Sequence, residues 1–318
     1  MTTATALQPV VKPRRSFGEM LRRNPITLKE MRSRMRGRRA FAVLTLNVFL
    51  LGGLVSLIYM TYATTAQVVT SPSSLQSLGK VIFATVVGMQ LLITCFTSSS
   101  AAAGAISAER ERLTFELLRT TLLPARSLVL GKLSAAVLFN LLVILSAIPM
   151  ASLSFFFGGV TLEEIVIASV VLIVTAIAFS TIGLFFSSLI RRTAQSTAVA
   201  TVVTLILTFG LPVFMLIMQG LLTTMVIFST QTGNPSIEAE MTRNFLIWLL
   251  ISISPLSAGG ATLATLLDSK TALTMTMTLS NGTSTTYPAP WIAYTVIYLA
   301  LSVFLIWLSV RAVKRVDR

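Results

Sequence analysis

The main group of charged side chains between apolar stretches lies at residues 107–132, which read SAERERLTFELLRTTLLPARSLVLGK. As a helix over 108–123, this stretch places Leu113 and Leu117 one turn apart, with carboxylates and guanidinium groups on the remaining surface. Such a surface is suited to binding a partner through ion pairs and an apolar contact. The alternative is a solvated face that is held by its own ion pairs. The candidate contact residues are Glu109, Arg110, Glu111, Arg112, Leu113, Thr114, Glu116, Leu117 and Arg119.

The rest of the sequence contains no pattern that indicates catalysis or metal binding. The sequence has no histidine and a single cysteine, Cys95. A nucleotide-binding P-loop needs the pattern G-x-x-x-x-G-K-[ST]. The pairs Gly79-Lys80 and Gly131-Lys132 lack both the upstream glycine and the following hydroxyl. We therefore expect no catalytic, cofactor-binding or metal-binding residues here, and we expect any ATP hydrolysis to occur in another subunit.

The composition indicates an integral membrane protein. Charged residues make up 11% of the chain and apolar residues 54%, whereas a soluble domain has about 25% charged residues. A transmembrane helix needs about 20 apolar residues. Six stretches meet that length: Ala40 to Tyr62, Val81 to Ser107, Leu133 to Phe157, Ile165 to Ile190, Ala194 to Phe228 and Trp291 to Val310. Because the lipid interior leaves no partner for free backbone groups, these stretches must be helices.

The positions of the basic residues predict the orientation. With the N-terminus inside and six spans, the cytoplasmic segments are 1–39, 108–132, 191–192 and 311–318. These contain all of the 25 basic residues except Lys80, Arg243 and Lys270, as expected for cytoplasmic flanks. Both termini are then cytoplasmic. Because the basic residues cluster at span ends with few interleaved aromatic residues, anionic lipid is a better partner for them than nucleic acid.

A basic segment precedes the first span. Residues 1–39 form a cytoplasmic tail, and 40–318 form the transmembrane domain. From Ser16 to Arg39 we predict an interfacial helix, with Asn24 as its cap and Pro25 at its first position. Its membrane-facing stripe consists of Leu28, Met31 and Met35, and the flanking charges are Arg32 and Arg36. This helix is either a polybasic lipid anchor or a further contact for a partner.

The outer region 229–290 contains an interrupted apolar segment. Asn244 to Leu267 is apolar enough to span, but Ser254-Pro255 and Gly259-Gly260 break it. A full crossing would place the basic C-terminus outside, so we predict an outward-facing re-entrant or interfacial helical hairpin. The sequence TMTMTLSNGTSTTYPAP that follows is interpreted as a polar loop. The fold class is therefore all-α, with six transmembrane helices, an N-terminal interfacial helix, a cytoplasmic helix at 108–123 and this hairpin.

Two features inside the spans lead to further expectations. The small residues from Thr97 to Ala105 favour close helix packing, with a substrate-lining role as the alternative. Pro149 and Pro212 predict distortions of the third and fifth spans. No span interior carries an ionisable residue, which disfavours a carrier that is driven by protons.

The charged stretch resembles a specific family. Permeases of ABC transporters of the type-2 exporter class carry a cytoplasmic E-R-E-x-G-T-x-E-x-L element, then T-P, then G-K at the start of the next span. The matching residues here are Glu109, Arg110, Glu111, Thr114, Glu116, Leu118, Thr121, Gly131 and Lys132. Leu113 replaces the usual glycine and Leu122 the usual proline, with Pro124 two residues later. The segments 24–41 and 182–201 add to the resemblance.

The resemblance implies the permease subunit of an ATP-driven exporter in a prokaryotic plasma membrane. It implies two copies of a separate ABC ATP-binding subunit, which binds ATP and Mg, and a second permease in a homodimer or heterodimer. ATP-driven closure of the ATPases would push on the helix at 108–123. An uncharged, hydroxyl-rich pathway favours an amphiphilic or lipid-like substrate. The alternatives are an ATP-independent channel or carrier with backbone ligands at 254–260, and a membrane scaffold that transports nothing.

Overall fold

The computed structural model of the protein describes residues 30–32, 35, 37–64, 72–113, 125–232, 237–268, 273–279 and 282–315. The helices are α1 (Arg38–Thr64), α2 (Pro72–Ala103), α3 (Ser107–Glu111), α4 (Ala125–Leu145), α5 (Ile148–Phe157), α6 (Leu162–Leu189), α7 (Thr193–Leu205), α8 (Leu211–Thr232), α9 (Ile237–Ile253), α10 (Pro255–Asp268) and α11 (Pro290–Arg315). A π-helical turn, Ile206–Gly210, joins α7 to α8. Two antiparallel strands, β1 (Thr274–Thr278) and β2 (Ser284–Pro288), lie between α10 and α11.

The described helices include six that are long and apolar enough to cross a membrane. These spans are Ala40–Thr64, Leu75–Glu111, Ala125–Phe157, Leu162–Leu189, Thr193–Thr224 and Pro290–Lys314. The predicted all-α membrane fold with six spans is therefore confirmed. Span 2 begins before the predicted Val81 and span 3 before the predicted Leu133, because polar residues at their ends are also helical.

The centre of the fold is the pair α2 and α6, which make the most extensive contact between helices. A Cβ atom placed on Gly183 of α6 would lie 2.3 Å from the Ser99 carbonyl oxygen of α2, so only glycine permits this approach. Ser99, Ala102 and Ala103 are buried. The predicted close packing of the small-residue stretch is confirmed, since short side chains let two helix backbones approach.

The prolines expected to distort spans 3 and 5 both lie beside irregular backbone. Pro149 is in the first turn of α5, after the break that separates α4 from α5. Pro212 is the second residue of α8, and α8 directly follows the π-helical turn. A proline has no amide to donate, so a carbonyl one turn earlier loses its helical partner.

Side chains from spans 1 and 2 compensate the break in span 3. The Val143 carbonyl oxygen accepts hydrogen bonds from Asn47 Nδ2 at 3.2 Å, from Gln90 Nε2 at 3.2 Å and from Ser146 Oγ at 2.7 Å. Asn47 and Gln90 are buried. Because irregular backbone at membrane depth needs protein partners, these two amides allow the break and tie spans 1, 2 and 3 together.

The broken apolar segment before span 6 is a sharply bent helix pair. Ile237–Ile253 and Pro255–Thr265 meet at an angle of 114°, so the second helix turns back from the direction of the first. The break lies at Ser254-Pro255, as the sequence predicts. The predicted interruption at Gly259-Gly260 is wrong, since both residues lie inside α10; glycine, unlike proline, keeps the amide that a helix needs. Tyr298 of α11 donates a hydrogen bond of 2.8 Å from its hydroxyl to the Ile253 carbonyl oxygen at the break. The bend is thus held by protein contacts, as a hairpin of this kind requires.

The segment after α10 differs from the predicted polar loop. It forms a β-hairpin in which Thr274 pairs with Pro288 and Thr278 with Ser284. Trp248 of α9 stacks on Tyr287 and donates a hydrogen bond of 2.8 Å to the Pro288 carbonyl oxygen. The alternation of threonine and methionine in β1, followed by Asn-Gly, is typical of a hairpin and was the signal for it.

We expect the ends of the spans to alternate between two faces of the membrane. After Cys95→Ala, single cysteines at the exposed positions Gln76 and Ser284 should react with a membrane-impermeant maleimide in intact cells. Cysteines at the exposed positions Gln195 and Lys314 should react only after permeabilisation. Labelling of Gln195 or Lys314 in intact cells would contradict the cytoplasmic placement of the basic ends.

Candidate functional site

The candidate site is built on the junction between α2 and α3, which we call the elbow (residues 103–107). The elbow breaks a helix, so several backbone groups need other partners. Ser187 Oγ of α6 accepts hydrogen bonds from the amides of Ile106, at 2.8 Å, and Ser107, at 3.0 Å. Ser196 Oγ of α7 donates to the Ala103 carbonyl oxygen at 2.7 Å. The elbow is therefore fixed to spans 4 and 5 by buried hydroxyl groups.

Lys132 of α4 supplies the main electrostatic contact of the elbow. Its side chain is only 2% exposed, yet its ammonium lies 2.7 Å from Glu109 Oε1 and 3.3 Å from Glu30 Oε1. The same ammonium donates a hydrogen bond of 2.6 Å to the Ala105 carbonyl oxygen. A buried charge requires paired partners, and these three satisfy it. Lys132 thus joins span 3, the elbow, α3 and the segment before span 1.

Glu111 connects the last turn of α3 to the start of span 5. Its Oε1 atom accepts the Thr193 amide at 3.0 Å, and its Oε2 atom accepts the Thr193 hydroxyl at 2.5 Å. Thr193 is the first residue of α7. A carboxylate at this position satisfies a free amide and complements the positive end of the helix dipole.

The structure corrects the predicted helix over 108–123. The helix begins at Ser107 and ends at Glu111, with Arg112 as its C-cap. Leu113 follows with a φ of 55°, in the left-handed region, which costs a residue with a side chain about 1–2 kcal/mol. Leu113 therefore does not continue the helix. The family pattern has glycine at this position, and glycine is the residue that adopts this conformation most readily.

The remaining predicted site residues are described only in part. Arg112 and Leu113 are exposed, and Leu113 is 80% exposed. Thr114, Glu116, Leu117 and Arg119 lie outside the described residues, as do Leu28 and Arg36 of the predicted interfacial helix. Of that helix, Met31, Arg32 and Met35 are helical, with Met31 half-buried and the other two exposed.

The structure divides the predicted contact residues into two groups. Glu109 and Glu111 bind other parts of the chain, whereas Arg112 and Leu113 face outward. Sequence reasoning did not identify Lys132, Glu30, Ser187 or Thr193 as site residues. The available signal was the position of Lys132, which is the only charged residue in the long apolar run 127–162. Its partners depend on contacts across 23 and 102 positions, which no local pattern specifies.

This arrangement can transmit a displacement. A movement of α3 acts on α4 through Glu109, on α6 through Ser187 and on α7 through Glu111 and Ser196. Within the part of the chain that the structure describes, no group of three or more His, Cys, Asp or Glu residues is placed to hold a metal ion.

We expect Glu109→Gln to weaken the fold. The variant leaves the buried Lys132 ammonium without its shortest ion pair, and a buried polar group that loses a partner costs about 1–3 kcal/mol. Glu163→Gln is the matched control, because Glu163 is exposed and surface substitutions stay within about 0.5 kcal/mol. Thermal unfolding of both purified variants, followed by tryptophan fluorescence, measures the difference. Equal midpoints would contradict the structural role of this ion pair.

Comparison with known families agrees with the arrangement of the spans and the elbow. The family model described as "ABC-2 family transporter protein" matches residues 25–310. This range includes Glu30, the elbow, α3 and all six spans, apart from the last residues of span 6. No curated protein matches the chain. Since the match covers most of the sequence, the chain belongs to the ABC-2 family of transporter proteins.

Proposed function

We propose that this chain is the permease subunit of an ATP-driven exporter and that α3 receives the force from a separate ATPase. The observation that carries the proposal is the network around Lys132, in which one buried ammonium joins α4 to Glu109 and to the Ala105 carbonyl oxygen. A short helix that only capped a loop would not need a buried charge. The network makes α3 a rigid extension of several spans, as a force-receiving element must be.

The proposed docking edge for the ATPase includes Arg112 and Leu113. Arg112 and Leu113 are exposed at the end of α3, and Leu113 is an apolar side chain in a strained backbone conformation. Strain and an exposed apolar group at the same residue are typical of a functional position. Glu109 and Glu111, bonded to Lys132 and Thr193, transmit the movement of this edge to spans 3 and 5.

ATP hydrolysis is assigned to a partner that is present in two copies. Both Gly-Lys pairs of this chain lie inside helices, at Gly79 of α2 and Gly131 of α4, whereas a P-loop precedes a helix and presents its amides to phosphate. The ammonium of Lys132 is already bound within the elbow. Closure of the ATPase pair would shift the population of permease conformations toward one that opens outward.

A second permease is proposed to cover spans 1 and 5. Only 17% of the apolar part of span 1 and 11% of that of span 5 are buried within the chain, against 61% for span 4. Span 5 also exposes Gln219 and Gly220. A primary amide is costly against lipid, and a glycine permits close helix approach. Both residues therefore favour a protein neighbour at this face, from an identical or a related subunit.

The proposed substrate is amphiphilic or lipid-like. A mainly apolar cavity of about 250 Å³ lies between α2, α6 and α10, and its lining includes Glu164. Its apolar lining includes Phe83, Leu91, Ile167, Val171, Leu256 and Leu263. Such a lining accepts a hydrocarbon chain by the hydrophobic effect. The apolar lining of this cavity supports only the class of substrate, and it does so independently of the elbow.

One observation weighs against the alternative of a carrier with backbone ligands at 254–260. Residues 255–260 lie in the first turns of α10, and the Ser254 carbonyl oxygen accepts the Ala258 amide at 2.9 Å. A coordinating site would need carbonyl oxygens of this segment for the ion.

The proposal is tested with the chain that is purified under mild conditions from its native membranes. We expect an ATP-binding subunit with a P-loop to co-purify, and we expect the mass of the complex to correspond to two permeases and two ATPases. The complex should hydrolyse ATP, whereas the chain alone should not exceed background. ATP hydrolysis by the chain alone, or a chain that purifies without any ATPase, would contradict the proposal.

We expect Leu113→Asn to weaken ATPase binding at least about tenfold. Asparagine tolerates the left-handed conformation, so the turn remains while an apolar contact worth about 1.5–3 kcal/mol is lost. Leu113→Met is the matched control, because it keeps an apolar side chain at the same backbone position. Titration of the purified permease with its ATPase measures the dissociation constant. Equal constants for both variants would place the docking edge elsewhere, with the segment before span 1 as the next candidate.

A further inference from the structure

A cavity with three arginines lies beside α3 at the end of the spans where the elbow is found. It has a volume of about 630 Å³ and is formed by α3, the end of α6 with its following connection, and the last turns of α11. Its lining residues are Arg110, Phe185, Ser188, Leu189, Arg191, Leu308, Arg311 and Ala312. One part of the lining is therefore cationic and the other part is apolar.

The positive charge of this arginine cavity exceeds what the helix ends require. The described lining contains three guanidinium groups and no carboxylate. Arg191 and Arg311 lie at the C-terminal ends of α6 and α11, where each helix dipole contributes about half a negative charge. These two partial charges balance about one of these two arginines, and Arg110 adds a third guanidinium group to the lining. Fixed positive charges that converge in this way attract an anion.

The apolar part of the cavity continues onto the outer surface of the spans. Leu189 is 52% exposed and Trp307 is 54% exposed. The Arg311 guanidinium lies over the Trp307 ring, 5.3 Å from its centroid. An exposed tryptophan beside basic residues is typical of the level at which lipid head groups meet acyl chains. A ligand that fits both parts has a negative head and a hydrocarbon tail.

We propose that the arginine cavity binds an anionic phospholipid of the surrounding leaflet, with its phosphate on the guanidinium groups and an acyl chain along Leu189 and Leu308. Free phosphate shares the head-group chemistry but leaves the apolar lining unused. Because Arg110 is next to Glu109 of the elbow network, the bound lipid holds α3 against α6 and α11. The inference requires a membrane-embedded chain but not an ATPase partner, so it can fail while the proposed function holds.

The experiment uses Trp307 as the reporter. The other tryptophans are Trp248 and Trp291. Trp291 lies 16 residues before Trp307 in α11, a distance of about 24 Å along the helix. With both replaced by phenylalanine, the full-length chain is reconstituted with phosphatidylcholine and brominated phosphatidylglycerol or brominated phosphatidylcholine. Bromine quenches tryptophan fluorescence on contact, so the titrations give the relative affinity of the two lipids at this cavity.

We expect brominated phosphatidylglycerol to bind beside Trp307 at least about fivefold more tightly than brominated phosphatidylcholine, because each nearby basic residue favours anionic lipid by about this factor. Arg110→Gln with Arg191→Gln should lower this ratio at least about fivefold from its value in the starting protein, and Arg191→Gln alone should lower it less. Arg311 is left unchanged because it contacts the reporter ring. Arg192→Gln is the matched control, since it removes the same charge one position away from a lining residue and should keep the preference.

Three results would overturn the proposal. The first is a ratio near one in the starting protein. The second is an equal loss of preference in Arg192→Gln, which would indicate a diffuse surface charge instead of a site. The third is full displacement of the anionic lipid by inorganic phosphate at constant ionic strength, which would assign the cavity to a free anion. Brominated phosphatidylcholine serves as the folding control. If it quenches Trp307 equally in every variant, the variants are folded and inserted.

Discussion

The contact between α2 and α6 at Gly183 is the constraint on which the rest of the structure depends. The Ser99 carbonyl oxygen occupies the space that a Cβ atom on Gly183 would need, so the two backbones meet with no side chain between them. This contact sets the register of the helices. Ser107 lies eight residues after Ser99, and Ser187 lies four residues after Gly183. These two serines meet at the elbow. A larger residue at the crossing would separate the helices and remove the hydroxyl that satisfies the elbow amides.

A second constraint is that every interruption of a helix within the membrane needs side-chain partners. Among the described residues, three interruptions are compensated in this way by side chains of other spans. Asn47 and Gln90 bond to the Val143 carbonyl oxygen in span 3, Tyr298 bonds to Ile253 in the bent helix pair, and Ser187 binds the elbow amides. The irregular positions are therefore also the places where spans are connected, which makes them suitable for transmitting movement.

The elbow and the arginine cavity use charge in opposite ways. At the elbow, Lys132 is buried and its charge is matched by Glu109 and Glu30, so the contact is rigid. In the cavity, Arg191 and Arg311 are exposed and the described lining has no carboxylate, so the charge is available to an external anion. Arg110 adjoins Glu109 in the same short helix. Both arrangements thus act on α3, one from within the chain and one from the surrounding membrane.

The sequence alone determined the class of fold, because six apolar stretches must be helices in lipid and because prolines mark where helices break. It also identified the charged stretch after span 2 and its resemblance to the family. It did not determine the end of α3, since the left-handed turn at Leu113 is a backbone property that a leucine does not signal, and it missed the hairpin of β1 and β2. Only the tertiary structure decided that Glu109 faces Lys132, that Glu111 caps α7 and that three arginines from distant segments line one cavity. These depend on contacts between residues far apart in the chain, and such contacts are set by the packing of α2 on α6, not by local patterns.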